Sequence, residues 1–211
     1  GGADGACFML EAQRLCVAIG DVSGKGIPAS LFMAISKTLA GTLTRSHQDL
    51  AAAICDLQQE LDRENPEYQF VTTFIGILDA DSGLLEYVCA GHDAPLLLRR
   101  GKVSRIDTAA IAGPPLCALP DYRYASARMQ LETGDVICLF TDGVSEASNG
   151  QEMFGSERLA TALATSAVNL PLADRASAIR DAVRGFEAGQ PPFDDLTLLL
   201  AGWYGRPSSE R

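Results

Sequence analysis

The stretch Gly20-Asp21-Val22-Ser23-Gly24-Lys25-Gly26-Ile27-Pro28 constrains this chain more than any other. The apolar run before it, Leu15-Cys16-Val17-Ala18-Ile19, reads as a buried strand. Gly24 and Gly26 then let the backbone turn through positive φ, and Pro28 suits a first helical turn, where its missing N–H is not needed. Ile27, Leu31, Ala34, Ile35 and Leu39 follow at helical spacing, which predicts a helix to about Thr44. Asp21 is therefore expected at the open end of a core strand, fixed by a glycine turn and a helix start.

Two more acidic sites have the same setting. Val136-Ile137-Cys138-Leu139-Phe140 leads into Thr141-Asp142-Gly143, and Phe193-Asp194-Asp195 precedes the apolar run Leu196 to Leu200. Carboxylates at three strand ends can converge on one oxygen-lined hole, the donor set that hard divalent cations such as Mg²⁺ and Mn²⁺ select. Each one alone reads more readily as a strand-end turn residue, since Asp-Gly is common turn chemistry.

A chain of 211 residues suits one domain with a sizeable core. A net charge of −10, with no basic stripe, argues against a nucleic-acid or anionic-membrane partner. The six cysteines include no Cys-x-x-Cys pair, and Cys16, Cys89 and Cys138 lie inside apolar runs. That usage points to a reducing, cytoplasmic compartment. No stretch is apolar enough to insert in a membrane, which leaves room for a membrane-anchored parent. The abrupt start at Gly1-Gly2 reads as a fragment cut from something longer.

After the first helix, Leu50, Ile54, Leu57 and Leu61 mark a second, ended by Asn65-Pro66. Phe70 to Leu78 and Leu84 to Cys89 read as a hairpin around a turn at 79–83. Pro95 to Arg99, Val103 to Ile106, Tyr122 to Leu131 and Asp135 to Phe140 continue the strands, with a Pro-containing loop at 111–120 and a hairpin tip at Arg99-Arg100 and Lys102. Ser156 is expected to cap a helix to about Ala167, Pro171 to start another to about Gly185, and Leu196 to Trp203 to form the last strand before a frayed tail at 206–211. The order predicts an α+β fold with a large, mostly antiparallel core.

Four segments together carry a resemblance: DVSGKGIPASLFMA (21–34), AGHDAPLLLR (90–99), DVICLFTDGVSEASNGQEMFGSERL (135–159) and FDDLTLLL (193–200). In order and spacing they are similar to the bacterial PPM phosphatases, metal-dependent protein serine/threonine phosphatases of the PP2C type, in the SpoIIE-like or RsbU-like branch. The resemblance spans nearly the whole chain and implies a single phosphatase domain over 1–205, a β-sandwich flanked by helices on both faces. It also implies two Mn²⁺ or Mg²⁺ ions, with Asp21 bridging them, the Val22 carbonyl on one, and Asp142 and Asp194 completing the other. A water held between the ions would be the nucleophile, with Asp195 and Gly143 supporting the site. By the same resemblance the substrate is a small regulatory phosphoprotein of the anti-sigma-factor-antagonist type. A sensor domain N-terminal to this piece, or homodimerisation, would switch it.

The sequence departs from the pattern in two places. Ser23 stands in the loop where animal PP2C enzymes carry a histidine. The usual opening Gly-Gly-Asp, with a second aspartate three residues on, reads here Gly1-Gly2-Ala3 and Ala6, leaving Asp4 as the candidate replacement. If Asp4 does not serve, the alternative is a weakened phosphatase fold used as a binding or signalling module. His92 matches a family position but reads as structural, and Glu146 is equally explained as a helix-start residue. His47 reads as a surface residue. Lys25 lacks nucleotide-loop spacing and either reaches a substrate phosphate or stays solvated.

Overall fold

The computed structural model describes residues 3–11, 13–63, 65–166, 169–190 and 194–205. Gly1-Gly2, Phe193 and the tail at 206–211 lie outside the described residues. In chain order the elements are β1 (Asp4–Glu11), β2 (Arg14–Val22), α1 (Ile27–Ser46), α2 (Leu50–Arg63), β3 (Val71–Asp79), β4 (Leu84–Ala90), β5 (Leu96–Arg99) and β6 (Lys102–Arg105). There follow β7 (Ala112–Gly113), β8 (Ala127–Gln130), β9 (Asp135–Phe140), α3 (Asp142–Ser145), α4 (Gly155–Thr165), α5 (Leu172–Glu187) and β10 (Leu198–Trp203).

The strands form two sheets. One runs β1-β2-β3-β4-β7 with β8 also on β4, and the other runs β10-β9-β5-β6. Every pairing is antiparallel except the short β4–β7 contact. Period-two alternation explains the layering. Ile19, Phe74, Leu85 and Tyr87 of the first sheet meet Leu97, Ile137 and Leu139 of the second. The opposite face of the first sheet packs Cys16, Val22, Val71, Ile75 and Val88 under Phe32, Leu50, Ile54 and Leu57 of α1 and α2. The outer face of the second sheet packs Leu96, Leu98, Val136, Cys138 and Phe140 under Leu159, Leu163, Ile179 and Val183 of α4 and α5. The result is a helix–sheet–sheet–helix sandwich, as the resemblance implied.

Several local expectations change. β1 is not expected from the sequence: Asp4 to Glu11 opens on Gly5, Ala6 and Cys7, yet pairs with β2 along its length. The first helix buries Ala29, Phe32, Met33 and Ser36, while Ile27 is 84% and Leu31 61% exposed; of the residues that announced the helix, Ile35 and Leu39 pack part-buried against that core. Regular strand within 122–131 is confined to β8. Ser156 lies inside α4 instead of capping it, because Phe154 occupies the cap position. No helix among the described residues is long and apolar enough to cross a membrane.

Candidate active site

At one end of the sandwich, Asp21, Asp142 and Asp194 line a single cleft of about 430 Å³, together with Val22, Ser23, Lys25, Phe70, Thr72, His92 and Asp93. Asp21 sits near the end of β2 in phase with Ile19, so its side chain lies on the face that meets the other sheet. Asp142 begins α3, two residues beyond the end of β9. Asp194 lies just before β10, the neighbour of β9.

The two acidic segments of the second sheet are fastened together by Thr141 and Gly143. The Thr141 amide donates to the Thr197 carbonyl at 3.1 Å, its hydroxyl donates to the Asp195 carbonyl at 3.1 Å, and the Thr197 amide donates back to that hydroxyl at 3.2 Å. A Cβ at Gly143 would stand 2.2 Å from the Asp195 carbonyl oxygen, so only glycine permits this approach. Asp195 donates its amide to Asp194 Oδ1 at 2.8 Å, which orients the Asp194 carboxylate.

The loop after Asp21 is tied to β3. The Ser23 amide donates to the Phe70 carbonyl, and the Phe70 amide donates to Ser23 Oγ, both at 2.9 Å. Ser23 thus has a structural task in the loop. Gly24 at φ 93° and Gly26 at φ 87° supply the left-handed turn that Lys25 sits between. His92 spans the two sheets, with Nδ1 3.1 Å from Thr72 Oγ1 and Nε2 3.1 Å from the Phe140 carbonyl. Burial holds the imidazole below its ordinary pKa, and a neutral ring donating from Nε2 to the carbonyl fits both contacts.

The electrostatics mark the cleft as short of positive charge. Burial, followed by repulsion from Asp142 and then Asp194, pushes Asp21 up to about 6. Glu146 is also raised, by burial and by Asp142, Asp93 and Asp194. It stands at the C-terminal end of α3, not at a helix start. Asp93 and Thr72 are cleft residues that sequence reasoning missed, and adjacency to His92 was the only available signal for Asp93.

A divalent cation fits the donor set chemically, since hard carboxylate oxygens that outnumber the one lysine among the described lining residues are what such ions take. Among the described residues no three His, Cys, Asp or Glu side chains already close on one point.

The structure does not bring Asp4 to the cleft. Asp4 lies opposite Gly20, and its carboxylate meets Lys37 Nζ of α1 at 2.7 Å, on the face of the sheet away from Asp21. Continuing that register by one residue sets Ala3 across from Asp21. His47 contacts Asp56 and the Leu43 carbonyl on the helical surface.

Residues 11–204 match the family model for Stage II sporulation protein E. The chain belongs to the SpoIIE family of PP2C-type domains. It is 30% identical over 139 residues to the phosphoserine phosphatase RsbU of Bacillus subtilis, covering 66% of this chain and 41% of that protein. The fold superposes on the PP2C phosphatase domain of SpoIIE from Bacillus subtilis with a TM-score of 0.81, at 18% identity, over 94% of this chain and 57% of that one. It also matches RsbX solved in complex with magnesium, with a TM-score of 0.67 at 17% identity, over 94% of this chain and 85% of that one. The chain spans 34% and 41% of the length of two of the curated relatives it matches. Its core architecture is thus the PP2C sandwich, shared with serine phosphatases.

Proposed function

We propose that this SpoIIE-family chain is a single catalytic domain, over 1–205, that hydrolyses phosphoserine or phosphothreonine on a small regulatory protein with the help of divalent cations, Mn²⁺ or Mg²⁺. One observation carries the reading. Three carboxylates from β2, the β9–α3 junction and the segment before β10 line one cleft, where burial first and then repulsion from Asp142 and Asp194 push Asp21 up to about 6. That crowding is unfavourable unless a cation relieves it. Asp21, Asp142, Asp194 and the Val22 carbonyl would hold the ions, with Asp195 and Gly143 keeping Asp194 in place. When bound, two cations neutralise charge on a phosphoryl group and lower the pKa of a water poised to attack it.

The chain's own residues do the positioning. Thr141 and Gly143 set the spacing of Asp142 and Asp194, and His92 locks the ends of the two sheets together through Thr72 and Phe140. RsbU, a phosphoserine phosphatase by name, supports the substrate class. An anti-sigma-factor antagonist is the proposed substrate type, and the greater length of the relatives supports a regulatory domain outside this piece, in a cytoplasmic setting. Turnover of p-nitrophenyl phosphate with and without Mn²⁺ tests the reading. Activity should require the metal and be lost in Asp142→Ala. Turnover indifferent to both would end it.

A further inference from the structure

We propose that Lys25 is the side chain that receives the substrate's phosphoryl group, a subsite that rests on the phosphatase reading above. Among the described residues that line the cleft, Lys25 carries the only permanent positive charge, set against Asp21, Asp93, Asp142 and Asp194. A phosphate monoester brings further negative charge into this acidic space and gains from a cationic contact with the protein beside the metal ions.

The geometry suits that role. The loop on which Lys25 stands is fixed by the Ser23–Phe70 hydrogen bonds and by left-handed Gly24 and Gly26, so its Cα is placed. The side chain itself is 73% exposed and free to swing over the cleft. Its Nζ is 3.5 Å from Asp194 Oδ2, longer than a tight charged hydrogen bond. An exposed pair of this kind restrains a lysine only weakly. Asp194 is also a proposed cation ligand. Once its charge is taken up there, Lys25 loses its ion-pair partner and faces the anion entering beside it. A lysine ammonium, a compact charge with three rotatable donors, is suited to phosphate oxygens whose approach varies with the substrate.

Calorimetry of inorganic phosphate binding, with Mg²⁺ present and no turnover needed, reads the subsite directly. Lys25→Ala should weaken phosphate binding about tenfold, and Lys25→Arg should stay within about threefold of the parent, because a charged hydrogen bond to phosphate is lost in one and kept in the other. In parallel, KM for p-nitrophenyl phosphate should rise in Lys25→Ala with kcat nearly unchanged, and Mg²⁺ affinity should not fall. Equal phosphate affinity in parent and Lys25→Ala would overturn the proposal, as would absent phosphate binding by the parent or a parallel loss of Mg²⁺ affinity. Lys25-dependent phosphate binding by a protein without turnover would uphold the subsite and sink the phosphatase reading. An active enzyme indifferent to Lys25 would do the reverse.

Discussion

Gly143 lets two distant acidic segments touch by having no side chain. Its missing Cβ would lie 2.2 Å from the Asp195 carbonyl, and that atom is backbone, which cannot rotate aside. Gly143→Ala should therefore destabilise the fold by about 1–3 kcal/mol in urea unfolding, the usual cost of forcing extra volume into a packed site. It should also weaken Mn²⁺ binding, because Asp194 must move with Asp195. His92 gives a second test at this scale. Burial holds its folded-state pKa below the ordinary 6.5. Between those two values the unfolded chain takes up a proton that the folded chain refuses. His92 therefore costs nothing above pH 6.5, and the fold loses stability as the pH drops through 6.5 toward the folded-state value. Urea midpoints compared at about pH 7.5 and about pH 5.5 should fall less in His92→Gln than in the parent. Equal falls would remove His92 from this part of the account.

At the scale of elements, α1 and β1 show where sequence and structure part. The sequence signal for α1 came from Ile27, Leu31, Ala34, Ile35 and Leu39, which recur at helical spacing. The most buried positions are instead Ala29, Phe32, Met33 and Ser36, with Ile35 and Leu39 part-buried against the same core, because α1 carries apolar residues around most of its circumference and only the sheet beneath decides which side is buried. Phe32→Ala should cost about 3–5 kcal/mol as a core truncation, and Leu31→Ala should stay within about 0.5 kcal/mol as a surface change. Thermal unfolding of the two variants checks this, and a costly Leu31→Ala would reverse the assignment. β1 escaped notice because Gly5, Ala6 and Cys7 carry little strand signal, and pairing with β2 supplies what local propensity lacks. Its register explains why Asp4, the nearest carboxylate in sequence, lies on the wrong face: strand neighbours alternate sides, so a slip of one residue sends the side chain to Lys37. Ala3→Asp, across from Asp21, should tighten divalent-cation binding about 10–100-fold, the range that supporting residues around metal sites command. Calorimetry reads the change, and an unaltered affinity would show that this corner does not face the cations.

For the molecule as a whole, Asp21, Asp142 and Asp194 were legible as strand-end carboxylates because each follows or precedes an unbroken apolar run. Asp93 and Thr72 were not: Asp93 had only its place beside His92, and nothing in the local sequence of Thr72 distinguishes it from a strand residue. Only the closing of two sheets at one end places them beside the others. A cation bound there joins both sheets, so it should stabilise the whole sandwich. Saturation at about 100 times Kd adds about 2.7 kcal/mol, seen as a higher thermal midpoint that Asp142→Ala abolishes. The central claim is that the carboxylates gathered at this end hold divalent ions. Anomalous diffraction from crystals soaked in Mn²⁺ tests it most directly: the account predicts peaks within ligand distance of Asp21, Asp142 and Asp194, and a cleft without peaks at saturating Mn²⁺, or Mn²⁺ bound at Asp4 instead, would contradict it.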